Sequence, residues 1–588
     1  MTSPVVGRSP QRRHATYSER VRDAGRRNIF KAGAIRLALP MLLLATVLAT
    51  LLGGPAFTVV PTALSLLVWA AIVLPLETVL PAIALLLLGV NNPSGVPANG
   101  EADWILNPIG ELLYTNLPIK VAIADLLIVL LVFRAVAILL ISERVNGRST
   151  RPPRPFVQAC VAATMAIVAL EFWGVFVNEG NFQQSLWQLR VPLLLPSLAL
   201  AVTAGPTDVM FRRIRYAVFA AGSIKAFEAI WIGYVRGYAS SETGAYVTTH
   251  SDTVLWSTCI FFLLAMWFET RKKRDLLLLI FLSVPIFVAI VANNRRVAWV
   301  AVFAGTFFIV SIAHRGVKRQ IARYISFTWP LLVVYVVIGF SSKSANPVFL
   351  PVSKIASVTT AKDTSADTRD IENYNLLITV RSKPVLGYGF GHEYNEFVKA
   401  YDISKSFEQY RYLPHNSFLG FWAFNGLFGS ALYFVLPVVA VFYATSARRN
   451  SAVPGRRAAG AWSVCVTITY FFQAWADVGM QDWTTMICTG LAYGMAGSLG
   501  RAVAEEALPP VVQPVYEYVE DDELRSELRQ DVRPAVHGVY ELVPALGALG
   551  SADTTEDRFL LNETALQPMA SPTAHRVPEA LEFRKTIE

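Results

Sequence analysis

The stretch from His250 to Arg315, HSDTVLWSTCIFFLLAMWFETRKKRDLLLLIFLSVPIFVAIVANNRRVAWVAVFAGTFFIVSIAHR, decides the fold. Three apolar runs, 250–269, 275–292 and 296–313, are separated by RKKR at 271–274 and by NNRR at 293–296. A helix needs about 20 mostly apolar residues to cross roughly 30 Å of hydrocarbon, and each run approaches that length. The same pattern extends in both directions. Runs at 36–53, 57–75, 76–91, 119–141, 155–177, 186–204 and 214–234 come before, and 323–341, 416–445, 458–476 and 483–500 come after, which makes fourteen. The predicted fold is therefore an all-α integral membrane protein, a polytopic bundle of about 14 transmembrane helices.

Composition agrees with that reading. Of 588 residues, 54% are hydrophobic and only 16% charged, too few polar groups to cover the several globular surfaces that a soluble chain of this length would have. The four cysteines, Cys160, Cys259, Cys465 and Cys488, lie far apart inside apolar runs. They form neither a metal-binding pair nor a disulfide framework and are expected to be small residues facing lipid or the core. The net charge of +9 conceals two opposed parts: residues 501–588 hold 17 Asp and Glu against 8 Lys and Arg, and residues 1–500 carry the basic excess. That excess is spread in small clusters between apolar runs instead of gathered on one face, which argues against nucleic acid as a partner and for membrane topology.

The clusters orient the bundle. Arg144, Arg148, Arg151 and Arg154, then Arg212, Arg213 and Arg215, then 271–274, then Arg315, Lys318, Arg319 and Arg323, then Arg448, Arg449, Arg456 and Arg457 fall in alternate loops, and eight Lys or Arg precede residue 36. The intervening loops hold few basic residues, and 92–118 carries Glu101, Asp103 and Glu111. The positive-inside rule places both termini in the cytoplasm. Reading 57–91 as one span would invert every later loop and put the clusters outside, so it is read as two. Residues 1–35 form a basic cytoplasmic leader, and the run after it lacks a small-residue cleavage pattern, as expected of a retained helix. Residues 36–500 form the membrane domain, with a long extracytoplasmic loop at 341–414 carrying short helices. Residues 501–588 read as a disordered acidic cytoplasmic tail, open to a cytoplasmic partner.

Residues that defy the charge rule are the informative ones. Arg190 opens the sixth span at its outer end, and Arg295 and Arg296 occupy the outer turn between spans nine and ten. One reading is snorkelling or pairing with an acidic neighbour. The other is an anionic ligand at the outer interface, which suits the adjacent pair at 295–296 better. In the long loop, Ile371, Tyr374, Leu377 and Ile378 form an apolar stripe on a stretch from Asp367 to Arg381, as in a helix lying on the membrane surface. Pro384 ends it, and Gly387, Gly389 and Gly391 follow. This spacing is not a dinucleotide fingerprint, and a turn bringing backbone close to a ligand or another helix fits it better. Next comes HNSFLGFWAFNGLFG, in which His415 and Asn416 stand at the outer mouth of span twelve and Gly426 and Gly429 read as helix-packing positions.

His415-Asn416, nine residues, Gly426, two residues and Gly429 resemble the signature of the O-antigen ligase and polymerase family of bacterial membrane glycosyltransferases. PVLGYGFG resembles that family's glycine loop, and TRDIENYNLL with Arg369 resembles the arginine-bearing helix before it. The NNRRVAW segment and Arg190 are similar in position to the family's functional arginines. The span count and the long acidic tail depart from the family. The resemblance implies a GT-C-like fold in the bacterial inner membrane and a donor glycan on undecaprenyl pyrophosphate. Transfer would go to an acceptor glycan or glycolipid on the periplasmic face, with no cofactor and no metal.

The residues fit such chemistry independently. A lipid-linked donor keeps its pyrophosphate at the outer interface, where Arg190, Arg295 and Arg296 are placed, and the guanidinium fork suits phosphate oxygens. His415 has the intrinsic pKa to act as a base towards the acceptor hydroxyl, or, protonated, to bind pyrophosphate. Direct displacement would invert the anomeric carbon. Ligase and repeat-unit polymerase share these motifs. A flippase for lipid-linked oligosaccharides would instead show repeat symmetry and midplane charges, and a receptor signalling through the tail would leave the outer arginines without a purpose.

Overall fold

A computed structural model of the chain describes residues 73–90, 106–114, 122–141, 152–236, 247–293, 295–341, 349, 352, 364–399 and 409–507. The chain divides into two units, Met1–Pro509 and Pro510–Glu588, and every described residue belongs to the first. The expected leader, the span 36–53, most of 57–75 and the tail beyond 507 lie outside the described residues.

The regular elements among the described residues are helices, as an all-α bundle requires. They are α1 (Leu76–Gly89), α2 (Asn107–Tyr114), α3 (Ile123–Ile141), α4 (Arg154–Phe172), α5 (Phe182–Thr203), α6 (Thr207–Ile230) and α7 (Asp252–Thr270). Then come α8 (Lys273–Asn293), α9 (Arg296–Ile312), α10 (Arg315–Ser341), α11 (Thr364–Ser382), α12 (Ser417–Asn450), α13 (Pro454–Ala476) and α14 (Trp483–Glu506). Single π turns extend α4 through Trp173–Val177 and α6 through Trp231–Val235. Each apolar run from 76–91 onward falls on one of these helices.

Eight of the helices, α3 to α8, α10 and α12, are long and apolar enough to cross a membrane, and α1 and α9 are shorter apolar helices. The last two helices are more polar for a physical reason. The stretch of α14 from Trp483 to Ala502 is buried throughout, enclosed by protein and not by lipid, so Thr, Ser and Gly are admitted there. Its Gly490 and Gly494 lie against α5, where an added Cβ would come within 2.8 Å of Leu198 and 2.4 Å of Val202. At the other extreme α10 is exposed over nearly its whole length, with Phe327, Leu331 and Phe340 turned outward as in a lipid-facing helix. The four cysteines are free and buried.

Ion pairs sort the helix ends into two sets. At one end Glu269, closing α7, meets Arg448 at 3.0 Å, Arg457 at 2.8 Å and His314 at 3.7 Å. Arg456 holds Asp208 through two bonds of 2.9 and 2.6 Å and also reaches Glu506. These are the basic turns that the charge pattern assigns to a common side. The helices starting or ending there present His250, Arg295, His415 and Asp477 at their other ends.

Candidate active site

The glycine loop and span twelve build the site together. The sequence reads 416–445 as one straight span, but α12 is broken at Gly426, whose φ of 61° and ψ of −173° leave the helical region. The break removes the local partners of two carbonyls and two amides. The loop after α11 replaces all four: Tyr388 N donates to Ala423 O at 3.2 Å and Gly389 N to Phe424 O at 2.7 Å, while Leu427 N and Phe428 N donate to Pro384 O and Val385 O at 2.9 and 3.2 Å. Gly426 is thus a docking notch for a loop, whereas Gly429 packs against Leu170 of α4, as the helix-packing reading expects.

The same loop is clamped from α4 and α5. Gly387, Gly389 and Gly391 all have positive φ. An added Cβ on Gly389 would lie 2.2 Å from Gly174 in the π turn, so the close backbone approach foreseen for this motif is to another helix. Gly391 N donates to Gln188 Oε1 at 2.6 Å, and Gln188 Nε2 donates to Tyr412 O at 2.8 Å, which ties the loop to the residues just before His415.

α11 turns its polar side inward. Glu372, Asn375 and Thr379 are buried, with Asn375 Oδ1 accepting from Phe397 N at 3.0 Å and Val398 N at 2.9 Å. Tyr374 and Leu377 of the apolar stripe are exposed on the opposite side. Glu372 grips His415 twice: one carboxylate oxygen accepts from the backbone N and the other from Nδ1, the latter at 2.8 Å. Asn416 caps α12, its Oδ1 accepting from Leu419 N at 3.2 Å, so the His-Asn pair joins the imidazole held by Glu372 to the cap that places it.

Opposite stands a second imidazole and carboxylate. Asp477, in the turn after α13, accepts a hydrogen bond from His250 Nδ1. The backbone of Asp477 also anchors α12, since its carbonyl accepts from Ser417 Oγ at 3.2 Å. The segment carrying His250 is fixed by the buried Asn293 of α8, whose Oδ1 accepts from Thr248 N and whose Nδ2 donates to Thr249 O, both at 3.1 Å. Next to it Asp252 pairs with the buried Lys225 of α6 at 3.4 Å.

Charge couples these groups. Burial works to lower the pKa of His415, but the hydrogen bond and charge of Glu372, with Asp477 behind, raise it above the ordinary imidazole value against Arg369. Burial lowers that of His250, and Arg295 and Arg369 add to the effect against the pull of Asp477. Burial would raise Asp477, yet His250, His415 and Arg369 hold it below the usual carboxylate range.

The expected site residues therefore fall into groups. His415, Arg369 and Arg295 converge. Arg295 stands just before the first helical residue of α9, and Arg296 begins the helix. Arg190 belongs to a neighbouring cluster, 3.8 Å from Asp125 and over the Trp187 ring at 4.1 Å, with Trp483 at 5.7 Å. Glu372, His250 and Asp477 were missed. Their signal was available: His250 opens the run at 250–269 on the same side as His415, Asp477 lies in the turn between the last two spans at that side, and Glu372 follows Arg369 by one helical turn in TRDIENYNLL.

No curated protein matches the chain. Residues 281–434, a stretch that includes Arg295, Arg369, Glu372, the glycine loop and His415, match the model of the O-antigen ligase family, the family that the motifs resemble.

Proposed function

We propose that the protein is a membrane glycosyltransferase that moves a glycan from a polyprenyl pyrophosphate, of the undecaprenyl type, to a hydroxyl of an acceptor glycan or glycolipid. The observation that carries this reading is the convergence of His415 and Glu372 with Arg369, Arg295, Asp477 and His250 at one end of the bundle, opposite the basic turns. With those turns in the cytoplasm, the site faces outward in the bacterial inner membrane and both termini lie inside. The outward apolar stripe of α11 then rests on the lipid interface.

In this mechanism the arginines neutralise the pyrophosphate as negative charge develops on it, through paired donors aimed at phosphate oxygens. His415, its Nδ1 fixed by Glu372, presents Nε2 to the reacting oxygens. The acceptor oxygen displaces pyrophosphate directly, with inversion at the anomeric carbon. Arg190, stacked on Trp187, lines the approach of the lipid-linked group.

The test is transfer by the purified full-length protein in lipid nanodiscs, with a polyprenyl-pyrophosphate glycan as donor and lipid pyrophosphate release as readout. His415→Ala should fold and lose transfer. Full transfer by that variant refutes the role of His415, and no release by the parent refutes the reading as a whole. Alkaline phosphatase fusions near residues 100 and 370 should be active, and inactive fusions there would overturn the orientation.

A further inference from the structure

We propose that the basic end of the bundle carries a site for one anionic phospholipid, with its phosphate at Arg448 and Arg449 and an acyl chain in the cavity between α9, α12 and α13. Such a site asks only for a membrane-embedded bundle and is independent of the transfer reaction at the opposite end.

The packing of the three helices leaves room there. α12 and α13 touch at Gly460, where an added Cβ would lie 2.3 Å from Ala444 O. α9 closes on its neighbours at Gly305: an added Cβ would stand 2.3 Å from the Phe261 ring of α7, and Cys465 Sγ of α13 donates to Gly305 O at 3.5 Å. One and two turns further towards the basic end, Phe308 and Ile312 of α9 and Val464 of α13 line a cavity of about 280 Å³. Its polar side chains are Thr445, Arg448 and Arg449, all on α12. Thr445 Oγ1 is already committed to Val441 O at 2.8 Å, so the two guanidiniums are the groups left for a ligand.

Carboxylates are in deficit around this cavity. Glu269 alone serves Arg448 at 3.0 Å, Arg457 at 2.8 Å and His314 at 3.7 Å. Asp208 and Glu506 are taken by Arg456. Arg448 also donates to Ile312 O at 2.8 Å, which ties it to the end of α9, yet its buried Nε has no hydrogen-bond partner among the described residues. Arg449 is exposed and makes no hydrogen bond or ion pair with those residues. After Glu506 the chain carries no carboxylate until Glu517, so the adjoining segment brings no anion to the deficit. Walls that are apolar along their length and cationic at one end match a phospholipid, whose chain is buried while its phosphate accepts paired bonds from guanidinium forks. A free anion would use the arginines and leave the apolar walls uncovered. Snorkelling would account for Arg449 but gives the cavity no occupant.

The experiment uses the full-length protein in a nonionic detergent, with dioleoyl phosphatidylglycerol as probe and dioleoyl phosphatidylcholine as neutral control. Native mass spectrometry counts bound lipid, and the melting midpoint is followed against lipid concentration. The parent should retain one phosphatidylglycerol and melt higher with it than with phosphatidylcholine. Equal retention of the two lipids, or retention of neither, overturns the site. Arg449→Gln should weaken phosphatidylglycerol binding about fivefold, the worth of one basic group at an anionic headgroup. Lys318→Gln removes the same charge from an exposed position of α10 outside the cavity and should leave binding unchanged. Equal losses in these two variants mean diffuse attraction and refute a site. Val464→Phe fills the wall without changing charge and should also lose the lipid, whereas parental binding would place the chain elsewhere and overturn the proposal. Should that variant not fold, competition decides: inorganic phosphate at the lipid's concentration should not displace it, and full displacement would make this an anion site without a chain. Truncation after Ala507 should bind the lipid as the parent does. Binding that appears only on truncation would give the cavity to the tail and refute the lipid as its occupant.

Discussion

Gly426 and Gly429 occupy one short motif, and their substitution by alanine should give opposite results. At Gly426 the backbone lies at φ 61° and ψ −173°, a region open essentially to glycine, where another residue costs about 1–3 kcal/mol. The new Cβ would stand 2.2 Å from Val385 O and 2.5 Å from the Leu386 carbonyl carbon, both backbone atoms, so the loop must move away. That motion breaks the bonds from Leu427 N to Pro384 O and from Phe428 N to Val385 O, worth about 0.5–1.5 kcal/mol each. The total is about 2–6 kcal/mol. At Gly429 the nearest atom is Leu170 Cδ1 at 2.8 Å, the tip of a flexible side chain. Alanine in helical backbone returns up to about 1 kcal/mol there, which leaves the change close to neutral. Thermal unfolding of purified protein in one detergent, with folded yield by size exclusion, reads the difference. Gly426→Ala should lose most folded protein or melt far below the parent, and Gly429→Ala should stay near it. Equal stability of the two variants, or a larger loss at Gly429, would refute the account of the break.

Glu372→Gln removes the charge that raises the pKa of His415, so the pH above which binding of a non-transferable lipid pyrophosphate analogue weakens should move downward; a midpoint equal to the parent's contradicts the pairing. Arg295→Lys keeps the charge but loses the guanidinium fork and should impair transfer and analogue binding together, while Arg296→Lys should be tolerated, and the reverse order would show that the wrong arginine is assigned. Arg190→Lys loses the planar stack on Trp187 and should also impair transfer, whereas parental turnover would make Arg190 a topological anchor. Truncation after Ala507 should leave transfer and stability intact. Truncation after Gly500 should destabilise the protein, because it removes Arg501, which donates to Thr203 O at 3.1 Å and Gly205 O at 2.6 Å, and Glu506, which holds Ala452 N at 3.0 Å; equal melting of the two truncations refutes this.

The local properties of the sequence determined the fold class, the helix positions and the motif around His415. Hydropathy is a sum over neighbours in the chain, so the run at 275–292 announces α8 whatever packs on it. Clusters such as 271–274 mark one end of the bundle because charges stay at the water interface. The His-Asn pair with its two glycines is legible because motif residues lie within one helix and its cap. Tertiary structure decided which distant groups share the site. His250, Asp477 and the Arg369–Glu372 pair of α11 come from three separate elements, and no spacing in the chain relates one element to another. Their meeting depends on how α7, α11, α12 and α13 pack, and on Asn293 holding the segment before α7. The role of Gly426 was hidden for the same reason. Glycine inside an apolar run reads as a packing residue, and only the loop from Pro384 to Gly389, by supplying four hydrogen bonds, makes a broken helix the lower-energy choice.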